Sequence, residues 1–151
     1  MAKTKFDLNF DGFLDLAREI DEKWSASQNY LIPVVVKAFE VTKDYVNNEI
    51  EKAMEQSPYN FNKGQHYSLG KAKASLEKVR NMPVEVNGTV VTAYAGVDNR
   101  EALEFLLIIY GTPHLKKDTK LYNAVKVKGK HKKEVSKIQQ GIFILGLEGK
   151  L

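Results

Sequence analysis

Residues 84–97, VEVNGTVVTAYAGV, constrain the chain more than any other stretch. Two runs rich in β-branched residues flank Asn87-Gly88, a pair that accepts positive φ at both central positions of a type I′ turn. The stretch therefore reads as a β-hairpin over about 83–97. A second pattern fixes what the hairpin packs against. From about Tyr30 to Met54, Val34, Val35, Ala38, Phe39, Val41, Tyr45, Val46, Ile50 and Ala53 recur at helical spacing and make a wide apolar stripe. Pro33 falls in the first turn of that expected helix, where a missing N–H costs least.

The other elements follow from shorter signals. Phe6, Leu8 and Phe10 alternate as a short strand or arm, and from Asp11 a first helix carries Phe13, Leu16, Ala17, Ile20 and Trp24 on one face. Residues 56–67, QSPYNFNKGQHY, read as a polar loop. Ser68 is placed to cap a helix bearing Leu69, Ala72, Leu76 and Val79, with Ser75 on its surface. Asp98 and Glu101 have capping-box spacing ahead of ALEFLLIIY, a helix apolar nearly all round. Gly111 and Pro113 supply its stop. Residues 121–127 fit strand or helix, and Val135, Ile138, Ile142 and Leu145 fit a last helix weakened by Gly141. This order gives an α+β fold in one domain, 1–151, with a small antiparallel sheet and a central hairpin packed on the long helix.

Composition narrows the chemistry. With 43% hydrophobic and 28% charged residues the chain is an ordinary globular sequence. The lack of cysteine removes disulfides and thiolate zinc sites. The charged N-terminus has no signal-peptide core, and no apolar run approaches the ~20 residues of a membrane span, so the chain is expected to be cytoplasmic when made. Charge is unevenly spread. Residues 1–60 hold 7 Lys/Arg against 11 Asp/Glu, net −4, whereas residues 99–151 hold 11 against 5, net +6. Such polarity suits a polyanionic partner or subunits stacked acidic end to basic end, and a solvated helix face accounts for the same letters.

Candidate sites thin out quickly. Asp7, Asn9, Asp11, Gly12 and Leu14 match the first half of a calcium loop, but Arg18 stands where a bidentate glutamate is needed, and Asp11 as a helix cap explains the same residues. His66, His114 and His131 lie in separate segments, with no second histidine at metal-ligand spacing. His114, just past a helix C-terminus, has a structural explanation in the helix dipole. No nucleophile elbow, phosphate loop or dinucleotide fingerprint occurs. No catalytic residue, metal or cofactor is therefore expected, and the chain is read as a non-enzyme.

What remains is a basic arm of Lys116, Lys117, Lys120, Lys126, Lys128, Lys130, Lys132 and Lys133, continued by Lys137 and opposed only by Asp118 and Glu134. Base readout and bidentate phosphate clamps favour arginine, and the arm has none. A single aromatic, Tyr122, interleaves, which argues against a stacking platform for single strands. Nucleic-acid contact by this arm would be nonspecific and salt-sensitive.

The apolar helix ending in YGTP (110–113), then HLKKDTKLYNAVK (114–126) and KHKKEVSKIQQGIF (130–143), resembles the small tail-completion, or head–tail joining, proteins of long-tailed bacteriophages. Members of that family show an aromatic-Gly-Thr turn after a hydrophobic helix, then a short segment ending in an Ala-containing helix. The upstream arm, long helix, polar loop and hairpin occur in the same order, so the resemblance spans most of the chain and is strongest over 94–143. The chain departs from the family in placing Pro113 at once, in lacking a following Pro-Phe, and in carrying Tyr67-Ser68-Leu69-Gly70 at the polar loop.

The resemblance implies a virion structural protein without catalysis. Its subunits would form a homo-hexameric ring at the head-proximal end of the tail tube, docking to the head connector, with genome DNA passing through the lumen. It would assemble in the host cytoplasm and reside in the neck of the virion. On this reading Tyr59, Phe61, His66, Tyr67, Thr112, His114 and Leu115 are expected at subunit or connector contacts. The lysine arm would face DNA or a partner, with loop and arm ordering only on assembly. The alternative is a small basic domain that binds nucleic acid nonspecifically, away from any virion.

Overall fold

A 29-residue helix, α1 (Ser27–Glu55), is the longest element among the described residues and the one most of the others pack against. The computed structural model describes residues 27–60 and 68–151. The expected N-terminal arm and first helix, the calcium-like stretch, and Phe61, His66 and Tyr67 lie outside the described residues. After α1 come α2 (Gly70–Arg80), β1 (Glu85–Asn87), β2 (Val90–Thr92), α3 (Leu103–Tyr110), α4 (Thr119–Val125) and α5 (Lys130–Leu147). The fold is α+β, with a two-stranded antiparallel sheet on a helical body. No helix among the described residues is long and apolar enough to cross a membrane.

α1 buries Leu31, Val34, Ala38, Phe39, Val46, Ile50 and Met54. It begins three residues earlier than its apolar stripe, so Pro33 lies inside the helix rather than in its first turn. There the proline withholds the donor that the Asn29 carbonyl would otherwise receive. Val46, Ile50 and Met54 join Leu69, Ala72 and Leu76 of the α2 segment, Ala95 and Val97 beyond the hairpin, Phe105, Ile108 and Ile109 of α3, and Leu121, Ala124 and Val125 of α4 in one buried cluster. α5 runs antiparallel along α1. Gly146 near its end lies against Val34, and His131 near its start meets Tyr45 and Glu49. His131 is buried, with its Nδ1 3.4 Å from the Tyr45 hydroxyl and 3.7 Å from a Glu49 carboxylate oxygen.

The hairpin forms, with its turn one residue away from the expected place. Asn87 pairs with Val90 and Val86 with Val91, so Gly88-Thr89 are the central residues. Gly88 has φ +63°, and Val127 is the only described non-glycine residue with positive φ. Positive φ at the first central position alone is the type II′ pattern, not type I′. The asparagine is used as a ladder residue instead. β1 is wholly exposed, and β2 lies against α1.

The capping box also fails to form, for a nameable reason. It requires the Glu101 side chain to take the Asp98 backbone N–H. That N–H instead donates to Ser75 Oγ at 2.8 Å, and Glu101 pairs with Lys78 at 2.9 Å. Ser75 is therefore a buried connector between α2 and the α3 approach, not a surface residue. Asp98 makes a local turn by accepting from Arg100 N–H, and α3 starts only at Leu103. α2 likewise starts at Gly70 with Leu69 at its cap position and no side-chain cap bond, one residue beyond the expected Ser68 cap. α3 buries Phe105, Ile108 and Ile109 on one face and leaves Leu103 and Tyr110 exposed.

Three polar side chains on α1 lie in the interior. Asn47 is fully buried, and its Oδ1 accepts the Gly96 N–H at 2.9 Å, holding the strand exit against the helix. Thr42, five residues earlier, is also buried. Lys43 donates to the Met82 carbonyl, and burial pushes its pKa below the ordinary 10.5 against the pull of Asp44 and Glu40.

Two glycines of α5 should respond in opposite directions. Gly141 is exposed, and an added Cβ would meet nothing within 4 Å, so Gly141→Ala should stabilise by about 1 kcal/mol through helix propensity. At Gly146 a Cβ would stand 2.6 and 2.7 Å from the two Val34 methyls, so Gly146→Ala should cost roughly 1–3 kcal/mol by overpacking. Urea unfolding of both variants beside the parent chain reads the two signs directly.

Candidate functional site

The apolar run of α3 ends in a turn that only glycine can open. Gly111 sits at φ +77°, and its N–H donates to the Leu107 carbonyl at 2.8 Å. A Cβ there would lie 3.0 Å from both Lys117 Cβ and Lys117 N, and 3.1 Å from the Leu115 carbonyl oxygen. The conformation and the space both exclude a side chain. Thr112 and Leu115 then exchange both backbone hydrogen bonds, at 2.9 and 3.2 Å, and Thr112 Oγ1 accepts the His114 N–H at 3.2 Å. Pro113 and His114 form the exposed tip.

Asp118 fastens the far end of this turn. Its backbone N–H returns to the Ile108 carbonyl at 2.9 Å. One carboxylate oxygen accepts the Leu121 N–H at 3.0 Å and so caps α4. The other accepts from the Ser57 hydroxyl at 2.7 Å, just beyond the C-terminus of α1. Beside it, the Tyr59 hydroxyl donates to the Lys116 carbonyl at 2.8 Å. Residues 112–118 are thus tied to α3, α4 and the end of α1. Their polar groups find partners within the molecule.

The ambiguous residues 121–127 are helical from the start of α4 to Val125. The helix ends in a Schellman pattern, with Lys128 N–H donating to Asn123 O at 2.9 Å and Val127 N–H to Ala124 O at 3.3 Å. The residue held in the left-handed region is Val127, at φ +48°, where glycine is the usual occupant. Its side chain is buried in the core cluster, which holds the strained backbone in place. The reversal puts Lys126 and Lys128 on either side of one buried residue.

The lysines share one property. Lys116, Lys117, Lys120, Lys126, Lys128, Lys130, Lys132 and Lys133 are all exposed, and none makes an ion pair among the described residues. Elsewhere most cations are matched, although Lys43 and Lys73 donate to the neutral oxygens of Met82 and Asn60. Lys37, Lys52, Lys71, Lys78, Arg80, Lys137 and Lys150 each reach a carboxylate. Both acids of the arm are committed, Asp118 to Ser57 and the α4 cap, and Glu134 to Lys137 at 3.0 Å.

Three of the lysines gather on two tyrosines. Tyr110, at the end of α3, packs edge-on against Tyr122 of α4, with centroids 5.7 Å apart and planes at 71°. Lys117 Nζ lies 3.7 Å and Lys128 Nζ 5.0 Å from the Tyr122 centroid, and Lys126 Nζ is 5.5 Å from that of Tyr110. These are cation–π distances. Lys128 also donates to the Tyr122 hydroxyl at 3.4 Å, which, with Lys117 and Lys126 nearby, lowers the pKa of that phenol.

The other expected contact residues divide. His114 is exposed at the tip. Thr112 is held by its bridge to Leu115, while Leu115 and Tyr59 pack against the core, so these side chains serve the fold first. Tyr110 was the residue missed, because its place at the end of an apolar helix marks it as core. The pairing with Tyr122 crosses two elements and a turn. Among the described residues no three His, Cys, Asp or Glu side chains converge as a metal site. Comparison with protein-family models, curated proteins and solved structures gave no match.

Asp118→Ala should destabilise by about 1–3 kcal/mol, since it removes the α4 cap and the acceptor of the Ser57 hydroxyl together. Gly111→Ala should cost roughly 1–3 kcal/mol through backbone strain, independently of any partner. Denaturant midpoints measure both. A double-mutant cycle of Ser57→Ala with Asp118→Ala should show non-additivity, because the two side chains share one bond.

Proposed function

We propose that this chain is a structural component of a long-tailed phage particle, a tail-completion or head–tail joining protein. It acts as a subunit of a homo-hexameric ring that caps the head-proximal end of the tail tube and docks to the head connector. The observation that carries the reading is the form taken by the stretch with the family resemblance. The aromatic-Gly-Thr turn after the hydrophobic helix and the short helix containing Ala124 form one bonded unit, Tyr110 to Val125, anchored on the long helix.

Two surface features fit a subunit made to be assembled. Eight exposed lysines without an ion-pair partner among the described residues suit an acidic docking face or DNA in a ring lumen. The hairpin leaves β1 wholly exposed, together with the apolar side chains of Val86 and Val90. A short two-stranded hairpin whose first strand is wholly exposed is a natural place for another chain to add. On this reading the protein is made in the host cytoplasm, ends in the virion neck, and has no catalytic role.

Quantitative mass spectrometry of purified particles from the source strain tests the proposal. The chain should be present at a few copies per particle, near the count of the portal protein. Abundance in the lysate with absence from intact particles would end the structural reading. Simultaneous charge reversal at Lys116, Lys117 and Lys120 should leave the isolated chain folded, since all three are exposed and make no ion pair among the described residues, yet block completion of infectious particles. Normal particle yield from that variant would remove the arm as a docking surface.

A further inference from the structure

We infer that Tyr110, Tyr122, Lys117, Lys126 and Lys128 form a binding site for single-stranded nucleic acid. The ammonium groups neutralise neighbouring phosphates, and the exposed face of Tyr110 receives a base. The site is independent of packaging in a particle and stands or falls on its own chemistry.

Four observations converge on it. The aromatic pair is built from two elements, and Tyr110 is 51% exposed at the end of α3, a flat apolar ring presented to solvent. Three cations sit over the two rings, at 3.7, 5.0 and 5.5 Å from the centroids, so their positions are restricted before any ligand arrives. No carboxylate pairs with any of the three among the described residues, which leaves positive charge unneutralised in one place. The two backbone reversals that bring these groups together are special ones, Gly111 at φ +77° and Val127 at φ +48°. A surface that needed only solubility would not need its lysines held this way.

The chemistry selects among polyanions. An acidic peptide would use the ammonium groups but leave the exposed ring without a role. A nucleic acid uses both, since every base has a π face that stacks on an aromatic side chain. Stacking requires an unpaired base, which favours a single strand over a duplex. The three cations are lysines, which act as point charges, so the site is indifferent to sequence.

The test is fluorescence anisotropy of the full chain with labelled oligo-dT of about 20 nucleotides, longer than one such site. A duplex of equal length and poly-glutamate serve as competitors across a salt series. Oligo-dT should bind at low salt and be displaced less readily by the duplex than by unlabelled single strand. The combined variant Lys117→Gln, Lys126→Gln and Lys128→Gln should flatten the log–log salt slope by about 2, from three phosphates at roughly 0.7 each. Tyr110→Ala should weaken oligo-dT binding roughly 5- to 100-fold with the slope unchanged, the range for loss of one base stack. Tyr110→Leu should give the same loss while keeping an apolar side chain at the end of α3, which covers the case where the alanine variant unfolds. Parent-like binding by both Tyr110 variants would overturn the inference, as would competition by poly-glutamate equal to oligo-dT charge for charge. Either would mark the patch as a face for an acidic protein.

Discussion

The structure depends on burial of one face of α1. Val46, Ile50 and Met54 belong to one buried cluster with residues of α2, the hairpin exit, α3, α4 and α5. At roughly 25 cal/mol per Å² of apolar surface, such residues each contribute on the order of 1.5–3 kcal/mol. Apart from α5, at 18 residues, the later elements are short: strands of three residues and helices of eleven, eight and seven. Elements of that size are not stable alone in water. They hold their shape because α1 supplies a surface to fold onto, and the turn after α3 is rigid because Ser57, just past the end of that helix, anchors it.

Periodicity reveals this scaffold well and its polar joints poorly. The stripe of α1, the face of α2 and the existence of the hairpin all follow from spacing, since apolar burial repeats with the geometry of the element. The joints do not repeat. Ser75 takes the Asp98 N–H, which breaks the expected capping box, and Asn47 takes the Gly96 N–H across the core. Serine and asparagine on a helix face look like solvent-facing residues until a backbone donor from elsewhere in the chain is placed beside them. The hairpin turn shows the same limit at shorter range. Asn87-Gly88 fits two registers, and the ladder that was chosen makes Gly88 the first residue of the turn.

The lysines of the candidate site are plain in the sequence, but their arrangement is not. Gly111 can be recognised as a helix stop, yet nothing local says that Lys117 will pack against its α-carbon. Val127 is less legible still, since a β-branched residue is the last choice for a left-handed position, and only its burial explains it there. Tyr110 reads as core because its neighbours are. Its pairing with Tyr122 depends on a turn whose geometry is set by hydrogen bonds to residues on α3 and beyond α1.

The inward use of Asp118 has a consequence for how the lysine surface behaves in water. Because that carboxylate is held by Ser57 and the α4 cap, it cannot swing out to neutralise its neighbours. With no carboxylate among the described residues paired to it, the surface gathers small anions from the buffer. Partners that displace a loose ionic cloud of this kind gain mainly from the mixing entropy of the released ions, and the same happens to the cations around a nucleic acid. Association at this face should therefore show little heat of its own, and its strength should follow the ionic conditions of the compartment more closely than its temperature.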